Sequence, residues 1–226
     1  MAKDRKANTV EPIETLTSTE NFIDKFKKPL IIAGVAIVVG VLGYVGYQKF
    51  VKAPKIVKAQ NESWQSFYDF EKDSLSTAML GTDDYLGMED IASQYSGTPS
   101  ADIANYAAGI AAMKNKDFET AISSFEKCDF EDIIVGSLSI GLIGDCYVEL
   151  DQLDKAVNHF EKAANREENN YTTPLYLKKA GLVYEKLDQN DKAVKAYKKI
   201  KENWSESKEA SDIDKYIARA SNGNDI

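Results

Sequence analysis

The stretch GDCYVELDQLDKAVNHFEKA, Gly144 to Ala163, recurs thirty-seven residues later as GLVYEKLDQNDKAVKAYKKI, Gly181 to Ile200. Tyr147, Leu150, Asp151, Gln152, Ala156 and Val157 recur as Tyr184, Leu187, Asp188, Gln189, Ala193 and Val194, and Phe160 meets Tyr197. A third copy, GIAAMKNKDFETAISSFEKC, begins thirty-five residues upstream of Gly144. It puts Gly109, Ala121 and Phe125 in register with Gly144, Ala156 and Phe160. Each copy reads as two antiparallel helices. A glycine on the first faces an alanine on the second, so the backbones approach closely, and the aromatic fills the space beside them. One such hairpin leaves its apolar face open, and stacking copies closes it.

Proline is scarce and helix formers are abundant, so the fold class is all-α. The net charge of −8 argues against nucleic acid, whose binders present basic patches.

One segment departs from this average. LIIAGVAIVVGVLGYVGY, Leu30 to Tyr47, carries no charge and as a helix spans about 27 Å, enough to cross a bilayer. Pro29 suits a first helical position. Tyr44, Tyr47 and Phe50 collect at the exit end, as interfacial aromatics do. The stretch before it is long and holds Asp4, Glu11, Glu14, Glu20 and Asp24, unlike the short basic start of a cleaved signal peptide. The reading is a single-pass, uncleaved anchor. Lys25, Lys27 and Lys28 on one side and Lys49, Lys52, Lys55 and Lys58 on the other leave orientation open.

The chain therefore divides into a polar tail (1–28), an anchor (29–50), a leading helical pair acting as a degenerate repeat (51–101), three repeats (102–204) and a capping helix with a tail (205–226). Pro54 is expected to mark a break. Ile56, Ala59, Trp64, Phe67 and Phe70 predict one long helix from Pro54 to Leu80, and YLGMEDIASQY a second. Ser207 to Ala220 reads as a closing helix with Ile213, Tyr216 and Ile217 turned inward.

The small–aromatic–small spacing resembles the tetratricopeptide repeat, a helix–turn–helix of about 34 residues. The usual Trp is replaced by Asn105, Ile140 and Leu177. The first copy has Ala112 where the others have Tyr, and the Pro expected after each second helix is missing. Together with the anchor, YSGTPSADIANYAAG, GLIGDCYVELDQLDKA, TPLYLKKAGLVYEKLDQNDKAV and DIDKYIARA resemble the membrane-anchored tetratricopeptide proteins of the Bacteroidota. More distantly the chain is similar to the single-pass tetratricopeptide subunit found beside the bacterial Sec translocon. The resemblance implies an inner-membrane protein with a cytoplasmic tail and periplasmic repeats. Its implied partners are proteins, among them Sec translocon subunits or exported chains.

Catalytic chemistry finds little support. His159 is the one histidine and reads as a helix-face residue. Cys128 and Cys146 sit on helices expected to touch. A disulfide is conceivable in an oxidising compartment, and two buried reduced thiols are the preferred reading. No CxxC, phosphate loop, GxSxG or HExxH occurs. The expectation is no enzyme, no cofactor and no metal.

In tetratricopeptide folds the first helices line the concave face, where ligands usually bind. That stripe here is Ile103, Tyr106, Ile110 and Met113; then Leu138, Gly141, Asp145 and Val148; then Leu175, Lys178, Leu182 and Glu185. An apolar groove with polar ends suits an amphipathic or unfolded segment. The Pro54–Leu80 helix, with Trp64 and Phe67, is an equally good candidate to fill it. Ala33, Ala36, Gly40 and Gly43 form a small-residue seam along the span, an arrangement that favours helix packing in the bilayer. Two functional expectations follow. One is a periplasm-facing scaffold or chaperone-like module near export or envelope assembly. The other is a permanent structural subunit that binds no clients. Oligomeric state is not decided.

Overall fold

The structure is a computed structural model that describes the backbone of residues 14–222 and the side chains of residues 26–222. Among the described residues there are helices and one isolated β-bridge, and no strands. The chain forms two compact units, residues 1–53 and 54–226.

In the first unit, α1 spans Glu14–Tyr47 and is followed by a π-helix at Gln48–Lys52. The helix thus starts inside the segment read as a polar tail, whose residues 1–13 lie outside the described ones. Pro29 lies inside α1 instead of starting a helix. The run Phe26–Glu71 contains an apolar window long enough to cross a membrane, and none of that window is buried. A core helix of a soluble domain would have been covered.

The second unit holds the stack. Helix α2 (Ala53–Glu71) carries Pro54 as its second residue, so the break expected there does not appear in the secondary structure. The single helix expected to reach Leu80 is instead two. Asp73 takes a positive φ of 60°, and α3 (Leu75–Leu80) starts after the turn. The next helix, α4 (Met88–Gln94), begins three residues later than expected because Gly81 and Leu86 pair as an antiparallel bridge. That corner needs glycine twice. Gly81 has φ +74°, and a Cβ on Gly87 would stand 2.2 Å from the Met79 carbonyl oxygen.

Three hairpins follow: α5 (Pro99–Lys114) with α6 (Phe118–Phe125), α7 (Ile133–Glu149) with α8 (Leu153–Asn165), and α9 (Thr172–Lys186) with α10 (Asn190–Asn203). Each turn puts one residue, Lys116, Asp151 or Asp188, at a φ of 55–60°, seven residues after the hairpin's glycine. Asp117 caps α6 through Thr120 N–H, and Asp132 caps α7 through Ile134 and Val135 N–H. A 3₁₀ turn (Lys208–Asp212) and α11 (Ile213–Ala220) close the stack. Helix α11 buries Ile213 and Ile217 and half-buries Tyr216, as the spacing predicts.

The small–aromatic packing recurs in every hairpin. A Cβ on Gly109 would stand 2.5 Å from the Phe125 ring, on Gly144 2.6 Å from Phe160, and on Gly181 2.3 Å from Tyr197. Ala121, Ala156 and Ala193 are fully buried opposite. The aromatics thus lie directly on the glycines, and this contact sets how closely the helices approach.

Candidate protein-binding surface

Helices α5, α7 and α9 carry the residues of the expected groove, and the structure divides them into three groups. Ile103 and Leu182 stand exposed, at 44% and 37%. Tyr106, Ile110 and Met113 are half-buried against the core formed by Ala112, Ala121, Phe125, Ile143 and Cys146. The Tyr106 ring meets Phe125 and Phe130 edge-on, with centroids 5.6 and 5.9 Å away. Leu138, Val148 and Leu175 pack similarly against the C-terminal core. Gly141 is buried, and a Cβ there would stand 2.0 Å from the Tyr176 ring. It provides the close contact between successive hairpins. Tyr176 in turn stacks on Phe160, with centroids 6.1 Å apart and an interplanar angle of 15°.

The charged members are engaged inside the stack. Lys179 donates to both Asp145 oxygens at 2.7 and 2.8 Å. Lys178 donates to Asp212 at 2.6 Å, and its ammonium lies 4.3 Å from the Tyr216 ring centroid. Glu185 accepts two bonds from Arg219, at 2.7 and 2.8 Å, and one from the Tyr197 hydroxyl at 2.6 Å. All three ion pairs join residues 34 positions apart. Burial raises the Asp145 carboxyl, and Lys179 offsets part of that rise. Burial also pushes Glu185 up, but the hydrogen bonds from Arg219 and Tyr197 outweigh it and hold the carboxyl below its ordinary range. These ties escape a reading that treats the first-helix stripe as one surface. Their signal is opposite charge at i and i+34, one short turn less than the 37-residue repeat.

Trp64, the residue proposed to plug the groove, is 63% exposed. It lines a separate cleft with Leu80 and Tyr85 that includes none of the groove residues. Helix α2 packs instead on α4 and α5. Ala59 is buried with Met88, Ile91 and Ala104, and Ser63 donates to Ser100 at 3.3 Å.

Both cysteines are free thiols. Burial pushes Cys128 up to about 12 and Cys146 to about 11, so neither is a reactive thiolate at neutral pH. His159 lies on α8 with its ring 5.3 Å from Tyr147. Burial lowers its pKa and Lys162 adds to the effect, while Glu126 opposes it. Among the described residues, no group of three His, Cys, Asp or Glu could hold a metal. Along α1 the seam residues Ala33, Ala36, Gly40 and Gly43 are all exposed, and a Cβ at either glycine would meet nothing within 4 Å.

Tetratricopeptide repeat models match residues 103–129, 139–170 and 178–207. These are the three hairpins, so the chain carries tetratricopeptide repeats, a fold that serves protein–protein interaction. No curated protein matches the chain significantly.

Proposed function

We propose that this protein is an inner-membrane-anchored interaction module whose repeats face the periplasm. It acts there as a scaffold or chaperone-like factor near protein export or envelope assembly. Residues 29–50 cross the bilayer once, and the Ala33–Ala36–Gly40–Gly43 seam packs against another membrane helix. The first-helix face, centred on Ile103 and Leu182 with Tyr106, Ile110, Met113, Leu138, Val148 and Leu175 around them, receives a protein segment. The observation that carries this reading is the exposure of two apolar side chains, Ile103 and Leu182, on first helices of a repeat stack, in a chain with an unburied apolar helix. The likeness to the Sec-associated tetratricopeptide subunit suggests export as the setting, with translocon subunits or exported chains as partners.

A second reading is a permanent structural subunit. It is favoured by the engagement of Asp145, Lys178 and Glu185 within the stack, which narrows the open face. Two measurements test the proposal. With Cys128 and Cys146 replaced by Ala, Leu182→Cys should react with a membrane-impermeant maleimide in intact spheroplasts, since Leu182 is exposed and Cys128, being only half-buried, would otherwise compete. Labelling only after lysis would place the repeats in the cytoplasm. Purification in mild detergent should then recover several substoichiometric partners, whereas one partner in fixed ratio would establish the structural subunit.

A further inference from the structure

We propose that the cleft beside Trp64, at the N-terminal end of the repeat stack, docks a basic segment of a partner protein through an apolar anchor. The two ends of the stack differ. At the C-terminal end α11 turns Ile213 and Ile217 inward and presents Asp214, Lys215 and Arg219 to solvent, as a terminal element should. At the other end α2 exposes Val57, Trp64 and Tyr68, spaced along one helix face, and Leu80 beside them is 67% exposed. An apolar end of a solenoid needs a cover.

Charge decides what covers it. The cleft holds about 870 Å³, and its lining includes Glu62, Asp83, Asp84 and Asp90 and no Lys or Arg. Glu62 is already engaged by Lys58 at 3.7 Å and by the Tyr95 hydroxyl. Asp83, Asp84 and Asp90 have no ion-pair partner among the described residues. A second copy meeting this face across a two-fold axis would set these carboxylates against their own images. Anionic headgroups would be repelled in the same way. A segment bearing Lys or Arg around one or two apolar side chains satisfies both features. The cations meet the three aspartates, and the apolar side chains seat between Trp64 and Leu80, where the indole face also attracts cations. The surface is distinct from the first-helix face and does not depend on its role.

The test uses the full chain in neutral detergent micelles and a fluorescein-labelled peptide, Lys-Lys-Leu-Leu-Lys-Lys, read by anisotropy against protein-free micelles. The peptide should bind, and its counterpart with Glu for every Lys should not. Trp64→Ala and the triple change Asp83→Asn, Asp84→Asn, Asp90→Asn should each weaken binding by about tenfold or more. All these positions are exposed, so the fold should survive, as checked by circular dichroism. Equal binding by both variants would reduce the effect to attraction by the chain's net charge and overturn the proposal. Sedimentation showing a dimer that Trp64→Ala dissociates would also overturn it, because a second copy would then be the occupant.

Discussion

Gly181 lies under the Tyr197 ring so closely that a Cβ on it would stand 2.3 Å from Cε1. Both residues are buried, and Tyr197 is also held by its hydroxyl, which donates to Glu185. The ring therefore has little room to retreat. Gly181→Ala should destabilise the repeats by about 1–3 kcal/mol, read as a lower urea midpoint. Gly40→Leu, on the exposed seam of α1, should leave that midpoint within about 0.5 kcal/mol. A neutral Gly181→Ala would mean the helices do not approach as described.

Lys116 occupies a left-handed backbone position, at φ 60°, in the turn of the first hairpin. A β-carbon is strained there, and lysine lacks the short polar side chain that helps Asp151 and Asp188 tolerate it. Lys116→Gly should raise stability by about 1 kcal/mol with an unchanged denaturant slope. Destabilisation would place the residue in another region of backbone space.

The two tryptophans should behave oppositely. Trp64 is exposed and Trp204 is 8% exposed. Trp64→Ala should shift the midpoint by less than about 0.5 kcal/mol, while Trp204→Ala should cost about 3–5 kcal/mol. Acrylamide should quench Trp64 and spare Trp204. A large loss on truncating Trp64 would restore the idea that α2 plugs the groove.

His159 should make the repeats sensitive to mild acid. Burial disfavours its protonated form in the folded chain, so the unfolded chain takes up a proton first as pH falls. Its contribution to stability is complete above about pH 6.5. It declines below that value until the folded-state pKa is passed. His159→Gln should flatten the fall in urea midpoint over that window. An unchanged pH profile would show that His159 titrates freely in the fold.

Much of the stack was legible because its physics is periodic. Gly109, Gly144 and Gly181 recur with their aromatics, and a repeated contact leaves a repeated pattern. The leading region was less legible, since its shape turns on single events: Asp73 entering the left-handed region, and Gly81 and Gly87 making a tight corner. Hydrophobic spacing runs through both without a signal. The stripe residues lie on α5, α7 and α9, yet spacing does not distinguish a side chain facing solvent, such as Leu182, from one held by the next hairpin, such as Lys178. That difference lies in the 34-residue charge pairs, which are visible only when neighbouring hairpins are considered together.

The most direct test of the account is photocrosslinking in cells from Ile103 and Leu182, the two exposed apolar positions on the first helices, with half-buried Ile110 as a reference. Strong products with exported chains or translocon subunits are expected from Ile103 and Leu182, and weak products from Ile110. Products confined to this chain, or absent from both exposed positions, would contradict the assignment of that face as the binding surface.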